Sequence, residues 1–253
     1  MKELLVLVAT HKDYALPDDN VYFPIQVGKI LSEQKLSFQG DETGDNISQK
    51  NKTFCELTAL FWAWKNGLFQ QYEYVGLNHY RRYFKGQGVH LKGKSIMSRQ
   101  EILSQLEKHD GILGKKRNYY IESIYSHYKH AHHIQDLDVA LEIIKERYPD
   151  YMESCRKVIN GCTLHLYNMF IMRSDLVEQY CIWLFDILFD LEKRIDINDY
   201  SAYQQRVFGF IAERLFNIWL DKNEINTVSL PIAHIEPENM LKKAFKFLLR
   251  KIN

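Results

Sequence analysis

No two of the four cysteines, Cys55, Cys155, Cys162 and Cys181, stand in a CxxC pair. They sit in apolar or helical contexts and read as reduced core residues of a cytosolic protein, which argues against a disulfide frame or a zinc site. Charge of one sign is also lacking. The formal net charge is +1, so no global field draws in nucleic acid. No stretch approaches the roughly 18 apolar residues that a spanning helix needs. The N-terminal run Leu4 to Ala9 is short, without the apolar region and small-residue cleavage site of a signal peptide. A soluble, at most peripheral, chain is expected. Neither GxGxxG nor GxxxxGK[ST] occurs, so neither a dinucleotide fold nor a P-loop is indicated, and HExxH is absent.

What is present is an ordinary globular composition with an aromatic excess: 13% of residues, with 16 Tyr and 14 Phe, which fits a ligand-binding α/β protein. The 253 residues allow one large domain or two small ones. Leu4 to Ala9 reads as a central strand of a parallel sheet, with Thr10, His11 and Lys12 at its carboxyl end. Ser48 to Lys65 reads as one largely buried helix, in which the carboxylate of Glu56 needs a partner such as Lys52 or an arginine. Asn66-Gly67 ends it, and a strand over Tyr74 to Leu77 follows, with Gly76 permitting close backbone approach. Helix then strand is α/β grammar. At that strand's end come Asn78, His79, Tyr80, Arg81 and Arg82. Ligands of open α/β sheets bind outside the carboxyl ends of strands, so the arginine pair with a histidine forms either a receptor for a phosphorylated or carboxylated ligand or a surface pair beside a structural histidine.

Downstream, Ser98 with Glu101 signals a capping box for a helix to His109, Gly111 to Gly114 a short strand, and Lys115-Lys116-Arg117 a cluster suited to one anionic ligand. Tyr119 to Asp138 is dense in tyrosine and histidine. His127 and His130 have a spacing that could ligate metal, but sugars too are held by aromatic faces and hydrogen-bonding tips. Asp136 and Asp138 open a helix through Tyr148. His165 to Met172 resembles a strand, and Ser174 to Lys193 and Tyr203 to Leu220 are helices. Val228 to Ile232 is a last short strand. In residues 236–253, apolar Leu241, Phe245, Leu248, Leu249 and Ile252 recur beside five basic residues. This is a basic amphipathic helix, suited to a membrane surface or to packing on the domain spanning residues 1–235.

DNISQKN, CELTALFWAWKN, YVGLNHYRRYF, the His/Tyr block to Asp136, and LYNMFIM through GFIAERL together resemble a family of bacterial capsule and exopolysaccharide glycosyltransferases, its domain long catalogued as one of unknown function. GLNHYRRYF is the most specific piece. The resemblance implies a GT-A-like (Rossmann-like) α/β fold: a mixed, mainly parallel sheet flanked by helices, with a helical C-terminal part. It implies galactosyl or galactofuranosyl transfer from a UDP-sugar to a lipid-linked oligosaccharide acceptor, at the inner face of the cell membrane, without nucleic acid. Donor contacts would fall to Thr10, His11, Lys12, Asn46, Asn51, Asn78, His79, Tyr80, Arg81 and Arg82. Acceptor contacts would fall to Tyr125, His127, His132 and Asn168. GT-A enzymes usually carry Asp-x-Asp for Mn²⁺ or Mg²⁺. Here the strand end is Asn-His-Tyr-Arg-Arg, and arginines with Lys12 could neutralise the diphosphate without metal, although Asn78 and His79 could still serve as ligands to Mn²⁺ or Mg²⁺. An inverting reaction needs a base, for which Glu213, Asp136 and His165 are the candidates; Glu213 could equally be a helix residue paired to Arg206 or Arg214. A non-catalytic nucleotide-sugar or carbohydrate-binding module is the competing expectation, and a metal-dependent hydrolase built on the histidine block is a third.

Overall fold

The computed structural model describes residues 2–236. The amphipathic helix expected over residues 236–253 lies outside the described residues, apart from Glu236. The strands are β1 (Lys2–Thr10), β2 (Tyr22–Gln26), β3 (Gln39–Gly40), β4 (Tyr72–His79), β5 (Arg82–Leu91), β6 (Lys94–Ile96), β7 (Gly111–Gly114), β8 (Arg117–Asn118), β9 (Thr163–Leu164), β10 (Phe170–Arg173), β11 (Thr227–Leu230) and β12 (Ile232–His234). The helices are α1 (Asn51–Phe54), α2 (Leu57–Lys65), α3 (Arg99–Leu106), α4 (Ile124–Ala131), α5 (Ile134–Arg147), α6 (Met152–Asn160), α7 (Ser174–Arg194) and α8 (Val207–Lys222).

The main sheet runs β11-β7-β10-β4-β1-β2-β3. β2 and β4 lie parallel to β1, β3 parallel to β2 and β11 parallel to β7, while β10 runs antiparallel to both β4 and β7. The mainly parallel, helix-flanked GT-A-like α/β fold expected from the sequence is the fold observed. Burial on both faces explains why β1 reads as an unbroken apolar run. Leu5, Leu7, Val75 and Leu77 face the layer formed by α1, α2 and α4 to α8. Leu4, Val6 and Val8 face a smaller layer made by the β5–β6 hairpin, α3 and β12. At Gly76 a Cβ would stand 2.9 Å from the Phe170 carbonyl, so glycine lets β10 approach β4. No described helix is long and apolar enough to cross a membrane.

Several sequence expectations change in detail. The helix expected over 48–65 is broken: a 3₁₀ turn and α1 end at Cys55, whose φ is 55° and ψ −133°, and α2 restarts beyond it. The strand expected over 165–172 is β10 alone, because Tyr167 and Asn168 have φ of 76° and 48°. The helix expected from Tyr203 starts at Val207 after a 3₁₀ turn, and Pro231 divides the last strand into β11, on the main sheet, and β12, on β5. The Gly40–Ser48 loop is anchored from within: the buried Asp41 accepts from the Gly28 and Lys29 N–H groups and from the Ser48 hydroxyl.

Ser98 and Glu101 form the expected capping box on α3, and Glu101 also accepts from the backbone of Gln87 and Gly88 in β5. Replacing Glu101 by alanine therefore releases a helix cap and a strand anchor together. Urea unfolding should show a loss of roughly 1–2 kcal/mol.

Candidate active site

β1 and β4 end side by side, with Ala9 opposite His79, and Tyr80-Arg81 turns the chain from β4 into β5. Strand alternation sends Asn78 toward the hairpin layer and His79 toward the helices. Outside these ends lie two adjoining hollows of about 290 and 300 Å³. The first is lined by His11, Asn51, Lys52 and Tyr80, the second by Arg82, Tyr119, His127, His132, Tyr203, Phe210 and Glu213. Cys55, Glu56, His79, Arg81 and Arg206 line both and so mark their junction. The Cys55 break is what brings Glu56 there: Asn51 donates to the Cys55 carbonyl (2.7 Å), and Arg206 Nε to Cys55 Sγ (3.2 Å).

One strained turn ties the junction together. The Tyr167 N–H donates to Glu213 Oε1 (2.7 Å), and His79 Nε2 lies 2.7 Å from the Tyr167 carbonyl. Asn168 Nδ2 donates to Glu56 Oε1 (2.7 Å) and to the Gly209 carbonyl (3.1 Å). Two successive left-handed residues persist only where the surroundings hold them, and here two carboxylates and an imidazole do so. Burial lowers the affinity of His79 for a second proton, against the pull of Glu56, so the neutral ring donates from Nε2. Burial also pushes the Glu213 carboxyl up, opposed by Arg214 and the Tyr167 N–H. Both Glu213 oxygens are engaged, Oε2 by Arg214 Nη1 at 3.0 Å. Glu56 differs: Oε1 has Asn168, and Oε2 makes no hydrogen bond with the described residues.

The second hollow has an aromatic wall. His132 packs against Phe210 (4.1 Å between ring centroids) and stacks with Tyr203 (5.9 Å), while its Nδ1 lies 3.0 Å from Gln204 Oε1. Tyr119 packs on His127 at 4.1 Å. Flat faces beside hydrogen-bonding edges suit a sugar ring.

The structure gathers part of the expected set here: His11, Asn51, His79, Tyr80, Arg81, Arg82, His127, His132 and Glu213 line the hollows. Asn168 stands behind Glu56. Thr10 is buried and spends its hydroxyl on the Lys12 carbonyl. Lys12 and Arg81 both reach the Glu236 carboxylate, at 3.1 and 3.5 Å. The other expected residues lie elsewhere. Asn46 bonds within its own loop, to the carbonyls of Glu42 and Gly44. Asn78 is fully buried and lines neither hollow. Tyr125 turns to Asp138 (2.9 Å). Asp136 accepts from the Tyr200 hydroxyl (3.1 Å) in the first turn of α5, away from both hollows. His165 is buried against the Gly114 carbonyl (2.6 Å), and burial lowers its pKa to about 4. Of the three candidate bases, Glu213 lines the second of these hollows, and Asp136 and His165 line neither. Glu56 is partnered by Asn168, not by Lys52.

Sequence reasoning passed over Glu56, Arg206, Arg214 and Tyr119 as site residues. For Glu56 the signal was there, a carboxylate inside an apolar segment. Arg206 carried none, because its place depends on α8 packing beside α1. Cys55, expected in the core, lines the junction, and burial pushes its thiol up to about 12. Among the described residues no cluster of three or more His, Cys, Asp or Glu could hold a metal ion, and the Asp136-Leu137-Asp138 carboxylates are spent on Tyr200 and Tyr125.

Among solved structures, the WbbM bifunctional glycosyltransferase in its apo form is similar to this chain, at 32% identity and a TM-score of 0.86 over 94% of this chain and 46% of that one. The chain thus spans about half the length of that relative. No curated protein matches. The model of the family described as a domain of unknown function, DUF4422, matches residues 5–224, so the chain belongs to that family.

Proposed function

We propose that the protein is a glycosyltransferase that moves a sugar, galactose or galactofuranose, from a UDP-sugar to a growing capsular or exopolysaccharide acceptor on a lipid carrier. The observation that carries this reading is the pair of joined hollows at the strand ends, one with a carboxylate at the junction and cations around it. The diphosphate takes the side with Arg81, Arg82 and Arg206, and the acceptor takes the aromatic wall. The similarity to a bifunctional glycosyltransferase supports the reaction type. In an inverting transfer the acceptor oxygen bonds to the anomeric carbon and its proton passes to Glu56. The bond from that carbon to the diphosphate oxygen breaks, its electron pair leaves on UDP, and the arginines stabilise the charge. Glu213 braces the Tyr167 turn. The arginines serve in place of a divalent metal, so turnover should survive chelation.

The test is incubation with UDP-galactose, UDP-galactofuranose and UDP-glucose, with lipid-linked acceptors supplied. Release of UDP with transfer supports the reading. Tight nucleotide-sugar binding without turnover would instead make the protein a binding module. Glu236 bears on the same site, because its carboxylate holds Lys12 and Arg81 in the manner of a phosphate. Replacing Glu236 by glutamine should tighten UDP binding in calorimetry by roughly twofold to fivefold, the modest scale of an exposed ion pair.

A further inference from the structure

We infer that the tip of residues 115–121 is a docking surface for an anionic lipid bilayer. Tyr120 and Ile121 are 82% and 81% exposed, whereas the next most exposed large hydrophobic residue among those described, Ile182, reaches 55%. The two are adjacent and jut from one tip. Their presentation is built: Tyr120 has φ 59°, its N–H donates to Asn118 Oδ1 (2.7 Å), and the Ile121 N–H donates to the Tyr119 carbonyl (2.8 Å). β8 fixes the base of the tip by pairing with β9. Lys115, Lys116 and Arg117 precede it, all exposed, and none forms an ion pair with the described residues. Many other surface cations are paired, among them Arg147, Arg173 and Arg194.

An apolar pair beside exposed cations that form no ion pair with the described residues is the pattern of an interfacial anchor: a tyrosine rests at headgroup level, an aliphatic side chain enters the acyl boundary, and lysines meet lipid phosphates. Charge complementarity favours an anionic leaflet over a neutral one. Tyr119, next to the tip, lines the hollow with the aromatic wall, so docking here would bring that hollow to the membrane surface. The inference stands apart from the proposed reaction, since binding to lipid is measured without turnover.

The test uses the full chain and vesicles of phosphatidylglycerol mixed with phosphatidylcholine, against phosphatidylcholine alone. Three proteins are compared: the wild type, Tyr120→Ser with Ile121→Ser, and Lys115→Glu with Lys116→Glu. The wild type should co-sediment with the anionic vesicles, less so at high salt. Each lysine near an anionic leaflet supplies about a fivefold gain in partition, so the lysine double variant should bind at least about 20-fold more weakly. The apolar double variant should weaken binding to the same vesicles, with thermal melting unchanged in both. Wild-type binding by both variants would overturn the inference and assign any binding to residues outside the tip. Absence of wild-type binding, or loss of self-association on sizing as the only effect of the substitutions, would overturn it too.

Discussion

Exchanging Glu56 for glutamine should lower UDP-sugar turnover by about 10²–10⁴, the usual contribution of a positioned general base, while UDP still binds. The glutamine keeps an oxygen that accepts from Asn168, so the strained turn stays clasped, but it cannot take the acceptor's proton. Glu213→Gln makes the contrast. Its amide oxygen can still serve the Tyr167 N–H, but its NH₂ then faces the Arg214 guanidinium, donor against donor. That variant should melt at a lower temperature and lose activity in proportion to its loosened turn. Steady-state kinetics, UDP calorimetry and thermal melting on both variants separate the roles. A Glu56→Gln protein with wild-type turnover, or a product that retains anomeric configuration, would remove Glu56 as the base without touching the glycosyltransferase reading.

Arg81→Ala and Arg82→Ala should each reduce turnover by roughly 10²–10³, because in the proposed reaction each supplies a charge-assisted contact to the leaving diphosphate. The two should differ in kind. Arg81 borders both hollows and its charge is shared with Glu236, so its loss should also weaken UDP binding. The Arg82 guanidinium lies 4.1 Å over the Tyr167 ring, so its loss should additionally loosen the clasped turn. Folded variants that keep wild-type turnover would show that the arginines do not carry the charge. Loss of wild-type activity on chelation would assign that charge to a metal.

The parts of the fold legible in the sequence were those written in local pattern. β1 is a run of apolar residues because both its faces are covered, and Ser98 with Glu101 caps α3 as their spacing requires. The Asn78 to Arg82 stretch was legible as a place but not as a set: alternation puts neighbouring side chains on opposite faces of a sheet, so Asn78 cannot share a hollow with His79. His165 looked like a site residue because it is polar in an apolar segment, yet the Gly114 carbonyl and Asn217 satisfy it inside the core. Glu56 and Arg206 are brought together only when α8 lies against α1, and no window of sequence contains both.

Cys55 carries a consequence for how this chain can change. Its backbone occupies a region that costs about 1–3 kcal/mol and suits glycine almost alone. A Cys55→Gly substitution would relieve that cost. It would also empty the space where Sγ meets Gly209 and Arg206, and free the hinge that aims Glu56. The cysteine thus trades local backbone strain for the contacts that fix where Glu56 points, and no smaller or larger residue would keep both sides of that exchange.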